Sequence, residues 1–144
     1  MFSLFKQNTS QNKCVGFEDI KKIISSPTNE YLLINTMDAD SQDVMIKSTL
    51  ECDKEETTVN NVLNDYRVPD MPIVVYGKNC ADMSVEKKRE QLIGFGLKDV
   101  FIYYGGLFEW LLLNELYGDE EFPLQGNKCG NHVDILKYRP PNKL

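Results

Sequence analysis

One seven-residue stretch, Gly77-Lys78-Asn79-Cys80-Ala81-Asp82-Met83, gathers the residue types that could do chemistry. Cys80 offers a thiol, Lys78 an ammonium, and Asn79 and Asp82 short side-chain oxygens that accept from backbone amides. Ile73-Val74-Val75-Tyr76 comes just before and Ser84 just after. The β-branched, uncharged run predicts a strand buried on both faces. Ser84 is an N-cap residue type, and Val85, Lys88, Leu92 and Phe95 follow at helical spacing until Gly94 and Gly96 close the helix. A strand-to-helix loop aims several amide N–H groups at one point, and the helix dipole adds positive potential there. The stretch therefore has the makings of an anion cradle, with Lys87 and Lys88 nearby as further cations.

Three chemistries could use such a loop. Cys80 could act as a nucleophile in sulfur or phosphoryl transfer, although no Arg and no neighbouring base accompany it. Lys78 and the helix N-terminus could hold a small anion, or Cys80 could sense oxidants. Alternatively, Asn79 and Asp82 bond the loop amides themselves and close the cradle from within. The four cysteines, Cys14, Cys52, Cys80 and Cys129, form no C-x-x-C pair, and His132 is the single histidine. No metal site and no cofactor are expected from that inventory.

The elements that position the loop are legible as periodicities. Phe17, Ile20, Ile23 and Ile24 predict a short amphipathic helix over Phe17–Ser25, ended by Ser26-Pro27. Tyr31–Asn35 reads as a buried strand and Val44–Leu50 as a short one. Val59, Val62, Leu63 and Tyr66 put an apolar face on a helix over Glu55–Tyr66. Val100–Tyr103 is a second buried-type strand, so the helix from Ser84 is the crossover of a right-handed, parallel βαβ unit. Leu107–Tyr117 is apolar nearly all round. It is either a helix buried against the sheet or one whose face, at Phe108, Trp110 and Leu111, meets a partner. Lys87-Lys88-Arg89 is read as a solvated helix face, and Glu109, Glu115 and Asp119–Glu121 as an acidic patch.

At 144 residues with a net charge of −6, the chain suits one domain and disfavours broad binding to nucleic acid or anionic membranes. No apolar run is long enough to span a bilayer, and Met1–Phe5 lacks an export-signal pattern. A cytoplasmic setting with reduced thiols is the expectation. The predicted division is a flexible arm over 1–16, a domain over 17–124, and a C-terminal loop and strap over 125–144. Within that last part Asp134–Tyr138 is the strap and Arg139–Leu144 an extended tail.

The run "IVVYG…S…K…L…GF…DVFIYYGGLFEWL" resembles the second half of a rhodanese-like domain, with Gly105, Gly106 and Trp110 matching its Gly-Gly-x-x-x-Trp element. The resemblance extends over about Phe17 to Pro123. It implies an α/β fold with a small, mainly parallel sheet and helices on both faces. It also implies where a catalytic Cys should stand, at the end of the strand, and there this chain has Gly77. The loop's usual Arg is replaced by Met83. Leu33-Ile34-Asn35-Thr36-Met37 stands where the family has Leu-Ile-Asp-x-Arg, so Asn35 and Met37 replace an acid and a second Arg. Met offers nothing in place of a bidentate guanidinium. The pattern "YG-x-N-x-x-D…GGLFEWLLL…YG…FP…DILKY" is similar to Cys-less rhodanese-like proteins of giant DNA viruses and protists. Together these imply a non-catalytic module acting in protein–protein contact or self-association, or as a structural component of a virion. Catalysis through a displaced Cys80, and anion or redox sensing through Gly77–Met83 with Ser84, are the alternatives.

Overall fold

The computed structural model describes residues 13–26, 31–38, 42–64 and 71–126. The expected strap and tail, Tyr66, and the greater part of the N-terminal arm lie outside the described residues. The elements are α1 (Phe17–Ser25), β1 (Leu32–Asn35), β2 (Val44–Ile46), α2 (Cys52–Asn64), β3 (Ile73–Tyr76), α3 (Ser84–Gly94), β4 (Val100–Tyr103), α4 (Gly106–Tyr117) and β5 (Leu124–Gly126). Strands β1, β3 and β4 form a parallel sheet in the order β1-β3-β4. Single-residue bridges widen it at both edges, Cys14 to Ile102 on one side and Thr49 to Leu33 on the other.

The alternation of each strand decides which helices cover which face. Leu33, Val74, Tyr76 and Tyr103 point to one side and meet Ile20 of α1 and Leu107, Trp110 and Leu111 of α4. Ile34, Ile73, Val75, Val100 and Ile102 point to the other and meet Val59 of α2 and Val85 and Leu92 of α3. The register keeps each row on one face: Ile34 opposes Val75, which opposes Ile102. Two helices on each face of a small parallel sheet is the expected α/β class.

Several expectations need correction. Val44–Leu50 is not one strand. Only Val44–Ile46 is extended, and it pairs antiparallel with β5 rather than joining the parallel sheet. Ser48, at φ 72°, then turns the chain so that Thr49 can bridge to β1. Tyr76 anchors this segment by a closed ring of hydrogen bonds. The Ile46 amide donates to the Tyr76 hydroxyl (3.2 Å) and the Thr49 hydroxyl donates to the Ile46 carbonyl (2.6 Å). With its hydrogen so committed, Thr49 accepts from Tyr76 (2.7 Å). Burial raises the Tyr76 pKa, which keeps its hydroxyl neutral as the ring requires. Residues 13–16, assigned to the flexible arm, include a pairing to the sheet edge, since the Val15 amide donates to Ile102 and the Ile102 amide to Lys13. Gln125 and Gly126, assigned to a loop, belong to β5.

Helix α3 ends as Gly94 and Gly96 predict. Gly96 takes φ 106°, its amide reaches the Ile93 carbonyl and that of Leu97 reaches Leu92, a Schellman closure. Leu97 and Leu92 are both buried, completing the motif's apolar contact, whereas Phe95, counted with the inner face, is 55% exposed. The helix has stopped before Phe95, and the turn into Gly96 carries that ring outward.

Candidate functional site

The β3 strand delivers Gly77 to the carboxyl edge of the sheet, where open α/β folds bind ligands. Helix α4 fixes the loop from below. The amides of Leu107 and Phe108, at the start of α4, donate to the carbonyls of Gly77 (3.0 Å) and Lys78 (2.9 Å). That approach is so close that a Cβ on Gly106 would lie 2.6 Å from the Gly77 oxygen, and Gly106 itself has φ 64°. A glycine is required there on both counts. Four residues on, Trp110 is fully buried and its indole N–H donates to the Pro123 carbonyl (3.0 Å). The Gly-Gly-x-x-x-Trp spacing is thus a device for pressing the loop against α4 while locking α4 to the core.

Inside the loop, Asp82 turns back over Gly77. Its Oδ2 accepts from the Lys78 amide (3.1 Å) and its Oδ1 from the Ser84 amide (3.0 Å) and the Ser84 hydroxyl (2.5 Å). A Cβ built on Gly77 would lie 2.5 Å from Asp82 Oδ2 and 2.9 Å from Val85 Cγ1. The space that a side chain at position 77 would enter therefore holds the Asp82 carboxylate. Burial acts to raise its pKa. The hydrogen bonds from Ser84 and Lys78, helped by the Lys78 ammonium, outweigh that and hold the pKa below the usual carboxylate range. Asp82 is thus an anion bound in a cradle of this chain's own amides.

Asn79 is buried and makes its own turn, its Oδ1 accepting from the Ala81 amide (3.0 Å) and its carbonyl from the Asp82 amide (3.2 Å). Lys78 and Cys80 are exposed. Ser84 is not the N-cap but the first helical residue, and its amide is capped by Asp82 from two positions earlier. Its hydroxyl also meets Thr36 Oγ1 (2.7 Å), which ties the loop to the end of β1. Nothing in the sequence signals the Thr36 contact, because it joins the end of β1 to the start of α3, far apart in the chain. Beside the loop opens a cleft of about 600 Å³ lined by Asn35, Thr36, Met37, Cys52, Ser84 and Lys87, among others. Of the loop positions singled out from the sequence, Ser84 alone lines it.

The positions where the resemblance implies charged groups carry neutral side chains. Asn35 is buried, receives the Met37 amide and reaches the Met45 sulfur. Met37 packs onto the core, and Met83 is 72% exposed. No group of His, Cys, Asp and Glu suited to a metal occurs among the described residues. No helix among them is long and apolar enough to cross a membrane.

Of the two readings of this helix, burial against the sheet holds for Trp110 and Leu111. Trp110 and Leu111 are buried against Tyr103, Phe122 and their neighbours, and Phe108 is half-buried. A helix that is apolar all round gives no periodic sign of which side faces the sheet. The outward residues are Leu112, Leu116 and Tyr117.

No family model matches the chain, and no curated protein matches it. Solved structures do. The BH2092 protein of Bacillus halodurans superposes with a TM-score of 0.63 at 14% identity, over 87% of this chain and 85% of that one. The rhodanese-like domain of the Alr3790 protein of Anabaena sp. gives 0.60 at 16%, over 92% and 93%. The single-domain sulfurtransferase RDL2 of Saccharomyces cerevisiae gives 0.50 at 18%, over 73% and 93%. At such identities the likeness speaks for architecture: this chain has the fold of rhodanese-like domains.

Proposed function

We propose that this chain is a rhodanese-like module without catalytic chemistry, working through contacts with other proteins or as a structural component. One observation carries the reading. The Asp82 carboxylate occupies the space above Gly77 and takes up the Lys78 and Ser84 amides. A loop with two amides already bonded to an internal carboxylate, whose charge repels a second anion, is poorly placed to receive persulfide, phosphate or sulfate, and Gly77 offers no nucleophile. Cys80 is exposed on the loop but is absent from the residues lining the adjacent cleft. The similarity to Cys-less proteins of giant DNA viruses and protists extends the reading to a structural place in a virion.

The test is mass spectrometry of the native protein after thiosulfate, and separately after a thiol-alkylating probe at neutral pH, with Cys80→Ala alongside. The expected result is no persulfide and no fast adduct that depends on Cys80. A persulfide that disappears in Cys80→Ala would replace this reading with a sulfurtransferase rebuilt around that thiol.

A further inference from the structure

A pocket of about 250 Å³ lies between α1 and the sheet. Among the described residues its lining is mostly apolar: Val15, Ile23, Tyr31, Pro72, Val74 and Phe101. Tyr31 and Pro72 precede β1 and β3, which sets the pocket at the amino edge of the sheet, whereas Gly77 follows β3 at the carboxyl edge. The charged residues in the lining, Asp19 and Lys22, stand 3.9 Å apart and offset each other. The volume falls below the roughly 300–1,000 Å³ of small-molecule sites, so it suits apolar side chains better than a whole ligand.

The path of the chain leads there. Lys13 to Val15 run parallel to β4, the Val15 amide donating to the Ile102 carbonyl (3.0 Å) and the Ile102 amide to that of Lys13 (2.8 Å). A parallel pairing sends the preceding residues toward the amino edge. One bond further back, the ladder would need the Lys13 amide on the Val100 carbonyl, but Arg89 Nε already donates to that oxygen (2.8 Å). The chain therefore leaves β4 at Lys13, close to Val15 and Phe101 in the pocket wall. The segment outside has matching chemistry: Phe2, Leu4 and Phe5 lie together, and residues 6–12 are polar throughout. Extended, that linker reaches up to roughly 25 Å, ample for a pocket whose wall begins at Val15. A tether of this length holds the apolar residues at roughly millimolar effective concentration, an advantage over any segment arriving from another molecule.

We propose that this pocket is the seat of the chain's own N-terminal segment, with the side chains of Phe2, Leu4 and Phe5 filling it. The segment folds back from Lys13 at the amino edge and plugs the gap between Ile23 of α1 and Val74 and Phe101 of the sheet, in place of the free arm expected from composition. Burial of these side chains drives the docking. While the segment is docked, the pocket is closed to other proteins. The inference is independent of the reading of the Gly77 loop.

The experiment is NMR on the full-length protein, comparing wild type with a variant carrying Phe2→Ser and Phe5→Ser together. In wild type, nuclear Overhauser contacts are expected from the rings of Phe2 and Phe5 to the methyl groups of Ile23 and Val74. In the variant these contacts vanish, and the shift changes in the domain concentrate on Val15, Ile23, Val74 and Phe101. Tryptic cleavage after Lys6, which tracks the undocked population, should be at least roughly tenfold faster in the variant. Neither substitution touches the described core, so the sheet's amide shifts serve as the control for an intact fold. Absence of the ring-to-methyl contacts in wild type overturns the inference, as does cleavage after Lys6 at equal rates in both proteins. Contacts seen only between differently labelled copies in a mixed sample also overturn it, because a second copy would then be the occupant. None of these outcomes bears on the Gly77 loop, whose reading falls only to a Cys80-dependent persulfide.

Discussion

The loop after β3 and the outer face of α4 lie at the two ends of one contact and have opposite fates. In the loop, two amides that could serve a ligand, those of Lys78 and Ser84, go instead to Asp82. On α4, apolar groups that could have been buried are left outside, at Leu112, Leu116 and Tyr117. The same helix holds both in place. Its first amides clamp the loop, and Trp110 clamps the helix. Groups already bonded within the chain have less to offer a ligand than apolar surface left in solvent.

Breaking the clamp should have the largest effect. Trp110→Ala removes a fully buried ring stacked edge-on to Phe122 and Tyr103, and its indole hydrogen bond. A loss of about 3–5 kcal/mol in denaturant unfolding is expected. A near-neutral result would place the ring outside the core. Next comes Gly77→Ala, whose methyl would enter the Asp82 carboxylate and Val85. Overpacking of this kind costs about 1–3 kcal/mol, and combining it with Asp82→Gly should recover most of that if Asp82 fills the space.

Asp82→Asn should cost about 1 kcal/mol near neutral pH, the usual worth of a helix cap. The pH dependence has a definite sign. The folded state keeps this carboxylate ionised to lower pH than the unfolded chain does. Its contribution is complete above the unfolded value of about 4 and is lost as pH falls through the folded value. The stability gap between wild type and Asp82→Asn should therefore be flat near neutrality and shrink in acid, which paired urea melts at several pH values would show. The smallest effect belongs to the other region. Leu112→Glu should change stability by no more than about 0.5 kcal/mol, as exposed substitutions do, and a larger loss would mean the face is covered within the chain.

Much of this was legible in the sequence. β3 and β4 announce themselves by uncharged β-branched and aromatic runs, α1 by its 3.6-residue period, and the end of α3 by Gly94 and Gly96. What escaped was non-local. The ladder between β2 and β5 joins residues about eighty positions apart, and no periodicity in Val44–Leu50 marks its break at Ser48. The strand-like residues beyond the turn disguise it. The side chains of Asn79 and Asp82 are suited by type to bonding loop amides, but the division of labour is geometric: Asn79 makes a local turn while Asp82 reaches back over Gly77. On α4, residues apolar on all sides conceal which ones face the sheet, so Trp110 and Leu111 pass for surface as readily as Leu112 and Leu116.

The most direct measurement is a calorimetric titration of inorganic phosphate and thiosulfate into wild type and Asp82→Ala, with amide shifts of Lys78 and Ser84 followed in parallel. The account predicts no binding and no shifts in wild type. In Asp82→Ala it predicts millimolar anion binding that moves those two amides, because the substitution frees the donors Asp82 now holds. Anion binding by the wild-type loop at comparable affinity would contradict it, for the cradle would then be open despite Asp82.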